Sequence, residues 1–441
     1  MKKTHRAKLK NLPDLQGLAR CFPKHFPALL ASNSINQKTG RYSLLFHRSK
    51  KPLTASTSSQ LLQLMQKVNS KVKYSKTKLP FYSGWFLYLS YEAVASWENS
   101  LTLKNEPNQP LAIAIRCQSA IIIDHIKNKA WLVASSKKRI KKLKKLIKTQ
   151  KSTPAPKHNR LKLQKDDVEK YIENVEKAKK YIIKGDVYQV NLARNWQVKT
   201  EQKIDAMALY QTLSQHNPAP FAGILQSKNF SIISSSPERL VKVSKNTVQS
   251  RPIAGTRPRH KDKIKDKQLI KELINHPKEQ AEHIMLIDLV RNDIGRVSKK
   301  GSVKVDEFMG IESYRRVHHI VSNITGTLKK DCTSFDIIKA LFPGGTITGC
   351  PKIRCIQIIS ELETQARGAY TGSMGYISDT GTIDLNILIR TFALQNNQLT
   401  FHAGAGIVYD SIASKEAQES MHKAHALITS LGACPRIDNL L

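Results

Sequence analysis

Three ionisable residues with helical spacing lie in the C-terminal part of the sequence. Glu416 and Glu419 are three positions apart, and Lys423 follows four positions later. On a helix these offsets place all three side chains on one face. Two carboxylates beside an ammonium suit a divalent cation next to an anionic substrate, although a solvated helix face would show the same pattern. The glycine-rich stretch 403–410 comes directly before and predicts a turn that opens toward this helix.

Two glycine-rich segments offer anion sites without being nucleotide motifs. The segment 344–349 has the glycine spacing of a P-loop, but Cys350 stands where that motif has its lysine. In the second segment, Gly404 and Gly406 lack the third glycine of the dinucleotide fingerprint. Backbone N–H groups in such turns can bind a carboxylate as readily as a phosphate. Both segments therefore remain candidate anion sites.

Four further segments supply acids, amides and cations in the same half of the chain. Singly, each of their polar residues is explained as well by a structural role, such as a cap, a turn or a salt bridge. Jointly they supply the acids, amides and cations that a binding site for a multiply charged acid needs. The segments are 185–194 with Gln189, 234–240 with Glu238, the cationic loop 250–259 with Ala254 and Thr256, and the apolar helix 281–293 with Glu282.

The composition fits a large globular protein. The 441 residues include 40% hydrophobic and 24% charged residues, which suits one large or two ordinary domains. No apolar run approaches the roughly 20 residues that span a bilayer, and the basic start lacks the apolar stretch of a signal peptide. The six cysteines form no zinc or disulfide pattern. We therefore expect a cytoplasmic protein with free thiols and no membrane partner.

The formal net charge of +38 raises the question of nucleic-acid binding. Its densest part is the lysine-rich run 137–145, which a Pro- and Ser-containing stretch follows. Aromatic residues are not interleaved, and no RNP, zinc-finger or helix-turn-helix signature is present. We therefore expect no specific nucleic-acid partner, and we interpret about 136–165 as an exposed basic connection.

Strand-like and helical segments are mixed along the chain. The runs 41–46, 84–91, 111–116 and 119–124 predict strands. The segment 166–184 has helical period and ends at Gly185, which suits a C-cap. Further helices are predicted near 275–291, 334–341, 352–361 and 415–431, with strands between them. This order favours an α+β fold over a doubly wound parallel sheet.

The motifs, in their order along the chain, resemble the chorismate-utilising enzymes. Beside the segments of Gln189 and Glu238, they are Arg-Pro-Ile-Ala-Gly-Thr at 251–256, His-Ile-Val-Ser at 319–322, Phe-Pro-Gly-Gly-Thr-Ile-Thr-Gly at 342–349, Ile-Arg-Thr at 389–391 and Ala-Gly-Ala-Gly-Ile-Val at 403–408. The resemblance implies a large two-sheet sandwich with flanking helices. It also implies a region 1–146 similar to anthranilate synthase component I, a basic linker 147–165 and a chorismate-binding catalytic region 166–432.

The resemblance implies roles for individual positions. Glu282 and Glu419 would hold Mg²⁺, with Glu416 supporting them directly or through water, and the metal would anchor the ring carboxylate of chorismate. Glu238 would be the general acid that protonates the departing hydroxyl. His319 would lie near the reacting ring, although a core histidine is the alternative. The residues implied to contact substrate are Tyr370, Arg390, Gly404, Gly406, Lys423 and Thr348, and those implied to border the reacting centre are Ala254 and Thr256.

Gln189 indicates the type of reaction. The similar isochorismate and salicylate synthases carry lysine at this position, as a base that activates water. Glutamine is no base at neutral pH, so the nucleophile must already be competent, as ammonia is. The chain shows no recognisable glutaminase region, so the resemblance implies a separate glutamine amidotransferase subunit that supplies ammonia.

Two aminations remain open. Ala254 stands where many aminodeoxychorismate synthases have a lysine that can attack C2, and anthranilate synthases have alanine there. The segments 344–349, 370–376 and 110–117 instead resemble aminodeoxychorismate synthase component I, and Leu-Leu-Ala-Ser at 29–32 lacks the glutamate of the tryptophan-sensing motif. We therefore favour conversion of chorismate to 4-amino-4-deoxychorismate, for p-aminobenzoate and folate biosynthesis. Formation of anthranilate and pyruvate by an anthranilate synthase component I is the alternative.

Overall fold

The computed structural model describes residues 4–35, 38–70, 79–106, 109–151, 161–164, 166–201, 203–314 and 317–432. The strands in these ranges are β1 (His5–Lys8), β2 (Ala28–Ala31), β3 (Tyr42–Arg48), β4 (Leu53–Ala55), β5 (Gly84–Leu89), β6 (Ala112–Asp124), β7 (Lys129–Ala134), β8 (Gln189–Lys199), β9 (Phe221–Gln226), β10 (Phe230–Ser236), β11 (Arg239–Ser244), β12 (Thr247–Ser250), β13 (Ile253–Pro258), β14 (Lys304–Ser313), β15 (Val317–Thr327), β16 (Gly349–Cys350), β17 (Ser373–Ser378), β18 (Ile383–Asn386), β19 (Thr391–Gln395) and β20 (Gln398–Ile407).

Ten helices of the described residues surround these strands. They are α1 (Leu15–Cys21), α2 (Ser58–Val68), α3 (Lys137–Lys148), α4 (Val168–Ile183), α5 (Ala206–His216), α6 (Lys263–Asn275), α7 (Pro277–Val297), α8 (Ser334–Leu341), α9 (Lys352–Leu362) and α10 (Ala413–Ser430). Two 3₁₀ turns lie at Tyr91–Ser96 and Gly345–Ile347. Among the described residues, every helix is too short or too polar to cross a bilayer.

The strands pair in one antiparallel network that turns at β6. One branch runs from β6 through β3, β2, β9, β10, β19 and β20 to β8 and β16. The other runs through β5, β17, β18, β11 and β12 to β15, which also carries β13 and β14. The first half of β6 pairs with β5 and its second half with β3, and both pairings meet at Cys117. The long strand β6 therefore joins the two sheets.

Alternating side chains on the strands divide the core into three layers. In β5, Phe86 and Tyr88 join an inner cluster with residues of the other branch, such as Ile232 of β10. Their neighbours Leu87 and Leu89 belong to an outer cluster with α2, α4, α7, α8 and α9. The opposite outer cluster packs against α1, α3, α5 and α10. This arrangement confirms the predicted α+β fold, a two-sheet sandwich with flanking helices.

The basic run after residue 136 is a packed helix. In α3, Ile140, Leu143 and Leu146 recur at helical spacing and are buried, while most of the lysines between them are exposed. The prediction of an exposed connection is therefore wrong for 137–148, because the lysines occupy one face of an amphipathic helix. Residues 152–160 and 165 of the predicted linker lie outside the described residues. The described Leu161 donates its backbone N–H to the carbonyl of Leu431, next to the end of α10.

Candidate active site

Two helices each carry a pair of glutamates at spacing three. In α7 the pair is Glu279 and Glu282, and in α10 it is Glu416 and Glu419. Burial raises the pKa of Glu282, and the nearby charges of Glu279 and Glu419 raise it further. Burial also raises the pKa of Glu416, and Glu419 adds to this shift. Glu282 therefore lies close enough to Glu279 and Glu419, and Glu416 to Glu419, for their charges to repel, which a bound cation would relieve.

An amide from β8 holds one of these carboxylates. Gln189 Nε2 donates to Glu282 Oε1 over 2.6 Å. The pairing of β8 with β20 brings Gly406 alongside, and a Cβ at that position would lie 2.5 Å from Gln189 Nε2 and 3.5 Å from Glu282 Oε1. Gly406 therefore leaves the space in which the amide and the carboxylate meet. Both Gly404 and Gly406 lie within β20, so the prediction of a turn at this segment is wrong, and the chain turns only after Ile407.

For chorismate, the substrate that the sequence resemblance implies, Gly406→Ala is expected to lower kcat/KM by roughly 10-fold to 100-fold, since an ångström-scale displacement of a site residue has effects of that size. The added methyl would push Gln189 away from Glu282. Steady-state kinetics at fixed Mg²⁺ measure the change. The matched control is Gly295→Ala in α7, where an added Cβ has nothing within 4 Å. Equal activity of both variants would show that the space at Gly406 is dispensable.

Lys423 and Arg390 supply positive charge beside the acids. Lys423 Nζ pairs with Glu419 Oε1 at 2.6 Å and donates to the carbonyl of Gly404 at 3.0 Å. Arg390 donates from Nη1 to the backbone carbonyl of Lys423. Its φ of 54° lies in the left-handed region that residues other than glycine adopt rarely, and burial lowers the pKa of its guanidinium to about 10. Within the described part of the chain no carboxylate pairs with Arg390, which suits it to bind one from a substrate.

Tyr370 is a buried phenol near this guanidinium. Its ring stacks on His402 with centroids 5.2 Å apart and an interplanar angle of 18°. Burial raises the pKa of Tyr370 to about 12. The phenol therefore keeps its proton at neutral pH and can donate it in a hydrogen bond.

Glu238 is a buried carboxyl between β10 and β11. Thr346 Oγ1, from the glycine-rich segment 344–349, donates to Glu238 Oε1 over 2.8 Å. Burial raises the pKa of Glu238 to about 7, although the Thr346 hydrogen bond and the charge of Lys423 oppose the shift. A carboxyl with such a pKa can both give and recover a proton near neutrality.

The loop residue at the carboxyl is Thr346, which the sequence reasoning missed. The predicted substrate contact Thr348 is fully buried, and its hydroxyl donates to the carbonyl of Gly344 over 2.9 Å. Both threonines lie in a segment that the sequence had marked as an anion site. The sequence could therefore predict that this segment borders the site, but its spacing does not show which of the two threonine hydroxyls faces the site.

His319 lies on β15, where it is paired with Thr256 of β13. Its Nδ1 is 2.9 Å from Thr256 Oγ1, and a bulge at Gly255 separates the paired positions of Ala254 and Thr256. Burial lowers the pKa of His319 to about 4, and the charge of Arg390 contributes. The imidazole is therefore neutral at physiological pH and can act as a hydrogen-bonding group beside the site. Ala254 is buried, 6% exposed, with its partner Ile320 opposite.

Glu279 is a second site residue that the sequence reasoning missed. A Cβ at Gly255 would lie 2.8 Å from Glu279 Oε2, so the bulge in β13 passes directly over this carboxylate. Arg257 Nη1 also donates to Glu279 Oε1 over 3.1 Å. The available signal was the Glu-x-x-Glu spacing at 279–282 and 416–419, but it also occurs at 173–176, so the spacing alone does not single out Glu279.

The donor atoms of this site suit a hard cation. The glutamate oxygens of α7 and α10 are ligands that Mg²⁺ prefers, and Mg²⁺ usually takes one or two carboxylates and completes its shell with water and substrate oxygens. Among the described residues, no group of three or more His, Cys, Asp or Glu side chains could hold a metal ion by itself. Burial and the charge of Glu419 nevertheless raise the pKa of both Glu282 and Glu416, although Lys423 opposes the two shifts. The residues therefore fit a cation whose coordination shell is completed by water and substrate oxygens.

Comparison with known proteins places this site in a family. A family model described as chorismate binding enzyme matches residues 30–429. The chain is 42% identical over 428 residues to an anthranilate synthase component I-like protein of Synechocystis sp., covering 94% of this chain and 87% of that protein. It is 48% identical over 259 residues to aminodeoxychorismate synthase component 1 of Bacillus subtilis, covering 58% of this chain and 54% of that protein.

A solved structure extends the likeness to the fold. The crystal structure of anthranilate synthase component I from Streptococcus pneumoniae matches with a TM-score of 0.79 and 31% sequence identity, covering 89% of this chain and 93% of that chain. The family match spans both sheets and every glutamate, amide and cation described above. From its sequence, its fold and this site, the chain belongs to the chorismate-binding enzyme family.

Proposed function

We propose that the chain is the component I of an aminodeoxychorismate synthase. It aminates chorismate at C4 with ammonia from a glutamine amidotransferase subunit and gives 4-amino-4-deoxychorismate, for p-aminobenzoate and folate. The hydrogen bond from Gln189 Nε2 to Glu282 Oε1, 2.6 Å long, carries the proposal of an amination. An amide that donates to a carboxylate cannot take a proton from water, so the nucleophile must arrive already competent.

The residues around this pair have distinct roles in binding. Glu282 and Glu419, with Glu279 and Glu416 near them, would hold Mg²⁺, which neutralises charge on the ring carboxylate of chorismate when bound. Arg390 offers its guanidinium to a substrate carboxylate, with the phenol of Tyr370 near it and the backbone carbonyl of Lys423 accepting from it. These contacts fix the ring relative to the acid and to the entering ammonia.

Glu238 performs the proton transfer. The lone pair of ammonia forms the new C–N bond at C4, and the C4–O bond breaks. Glu238 donates its proton to the departing hydroxide, which leaves as water, because hydroxide is a poor leaving group. The added nitrogen then loses one proton, which restores the carboxyl of Glu238. Thr346 orients the carboxyl through its 2.8 Å hydrogen bond.

Anthranilate synthase component I is the second candidate, which Ala254 favours. Without a lysine at this position no covalent attack on C2 can precede amination there, and relatives that match over most of the chain are named anthranilate synthase component I or similar to it. The aminodeoxychorismate assignment rests on the segments 344–349 and 370–376 and on the higher identity to the Bacillus subtilis protein over 259 residues. Measuring pyruvate release from chorismate, Mg²⁺ and ammonium separates the two. Anthranilate formation releases pyruvate in equal amount, and the proposed reaction releases none.

Gln189→Lys is expected to lower amination and to divert part of the flux to isochorismate, because lysine supplies a base that can activate water. Chromatography of the products from chorismate and Mg²⁺, with and without ammonium, measures both changes. Gln197→Lys, at the far end of the same strand, is the matched control and should form only the wild-type product. A Gln189→Lys protein that still aminates chorismate at the wild-type rate would remove Gln189 from the reaction.

A further inference from the structure

Among the described residues, the side chains of the segment that carries Thr346 make no hydrogen bond or ion pair to α7, and only apolar side chains such as Ile347 pack toward it. The segment runs from the end of α8 at Leu341 to the start of α9 at Lys352 and includes the 3₁₀ turn Gly345–Ile347. A Cβ at Gly345 would lie 2.4 Å from Leu289 Cδ2, so this turn rests directly on α7. Arg367 and the chain at the start of β8 hold the later part of the segment through the backbone carbonyls of Ile347, Thr348 and Cys350. The position of Thr346 relative to α7 therefore depends also on how the ends of the segment are held against that helix.

Lys352 holds both ends of the segment to α7. Its Nζ pairs with Asp293 Oδ2 of α7 at 2.6 Å and lies 3.5 Å from the carbonyl of Leu341. The two charged side chains are only 11% and 6% exposed. The ammonium therefore connects the residue before the segment, the residue after it and the helix beneath it.

Asp293, the acidic member of the ion pair, and the proposed acid Glu238 border the same small cavity. Its volume is about 20 Å³, the size of one water molecule. Glu238, Asp293, Gly344 and Thr346 all line it. Because the cavity is so small, even a slight shift of the segment would change the 2.8 Å distance between Thr346 Oγ1 and Glu238 Oε1.

We propose that Lys352 and Asp293 form a positioning pair that holds the hydroxyl of Thr346 against Glu238. A buried ion pair is a poor source of stability, because desolvation offsets most of its attraction, and an apolar pair of similar size is often as stable. Its directional contacts to one carboxylate and one carbonyl instead fix where the segment lies. Neither residue touches the substrate in this account, and the inference rests on the proposed role of Glu238 as the acid.

Lys352→Met tests the proposal through the pH profile of kcat. Glu238 must be protonated to act, so kcat falls as the pH rises through its pKa. The Thr346 hydroxyl stabilises the ionised carboxylate, and its loss raises that pKa and moves the falling limb to higher pH. Thr346→Val should show this shift directly. Lys352→Met should show the same shift and a kcat lower by on the order of 10-fold to 100-fold.

Three further variants make the result decisive. Lys352→Arg should restore most of the wild-type profile, because it keeps a cation that can reach both oxygens. Lys339→Met replaces a half-buried lysine on α8 that pairs with Asp336 of the same helix; it is the matched control and should leave the profile unchanged. Lys352→Met combined with Thr346→Val should shift the limb no further than Thr346→Val alone. If Lys352→Met does not fold, Lys352→Met combined with Asp293→Leu leaves no unpaired charge and is measured in its place.

The outcomes separate this inference from the proposed function. A limb that moves in Thr346→Val but stays in place in Lys352→Met overturns the positioning role and leaves Glu238 as the acid. A limb that moves in neither variant, and that Glu238→Gln does not abolish, overturns the role of Glu238 itself. A parallel shift in both variants, with rescue by Lys352→Arg, supports the positioning pair.

Discussion

Glu282→Gln and Glu419→Gln are each expected to lower ammonia-dependent turnover of chorismate by roughly 10³-fold or more, since a metal supplies several kcal/mol of charge stabilisation. Each substitution keeps the size of the side chain but removes one negative charge from the carboxylates of α7 and α10. The amide at 282 would also face the amide of Gln189 in place of a carboxylate acceptor. Steady-state kinetics across a Mg²⁺ titration measure the loss.

A binding measurement separates metal loss from general damage. Titration calorimetry with Mg²⁺ in the presence of chorismate should show weaker binding in both variants. Glu272→Gln, an exposed glutamate of α6, is the control and should behave as wild type. Turnover close to wild type in Glu282→Gln and Glu419→Gln at ordinary Mg²⁺ concentration would remove the metal assignment.

Glu238→Gln is expected to lower kcat by roughly 10²-fold to 10⁴-fold, the contribution of a general acid. Substrate binding should change little, because Arg390 and the acid pairs are untouched. In the wild type, kcat should fall above a pH of about 7, because burial raises the pKa of Glu238 to about 7 and only the protonated carboxyl donates. The variant should lose this limb. The pH dependence of kcat at saturating chorismate measures both effects.

Glu92→Gln is a closely matched control for this result. Glu92 is as buried as Glu238, and burial likewise raises its pKa to about 7. Its Oε1 accepts hydrogen bonds from the backbone N–H groups of Arg367 and Gly368 at 2.8 and 3.0 Å. These two bonds give the buried carboxyl of Glu92 a structural role. An amide oxygen can accept the same bonds, and Glu92→Gln should keep the pH profile. Loss of the limb in Glu92→Gln, or its survival in Glu238→Gln, would contradict the assignment of the acid.

Much of the fold could be read from local patterns in the sequence. The predicted helices near 275–291 and 415–431 are α7 and α10. Both have apolar residues at helical spacing, and α7 also has a Pro at its first position. The predicted strands 111–116 and 119–124 instead form the single strand β6, because no glycine or proline interrupts them at Cys117. At Cys117 the pairing partner of β6 changes from β5 to β3. This change depends on tertiary structure, so the hydrophobic periodicity of the sequence does not predict it.

The candidate site was less accessible to sequence reasoning than the fold. Spacing on one element could predict that Glu416, Glu419 and Lys423 share a face. The contact between Gln189 and Glu282 could not be predicted in this way, since it joins a strand to a helix 93 positions further along the chain. The choice of Thr346 over Thr348 depends on how a 3₁₀ turn rests on α7, which only the folded chain defines.

The most direct test of the account uses ¹⁵N-labelled ammonium. Wild-type protein, chorismate and Mg²⁺ are incubated with the labelled salt, and the products are separated and identified by mass spectrometry. We expect 4-amino-4-deoxychorismate that carries the label, formed without pyruvate and only when Mg²⁺ is present. Labelled anthranilate with an equal amount of pyruvate would contradict attack at C4, and unlabelled isochorismate would contradict amination altogether.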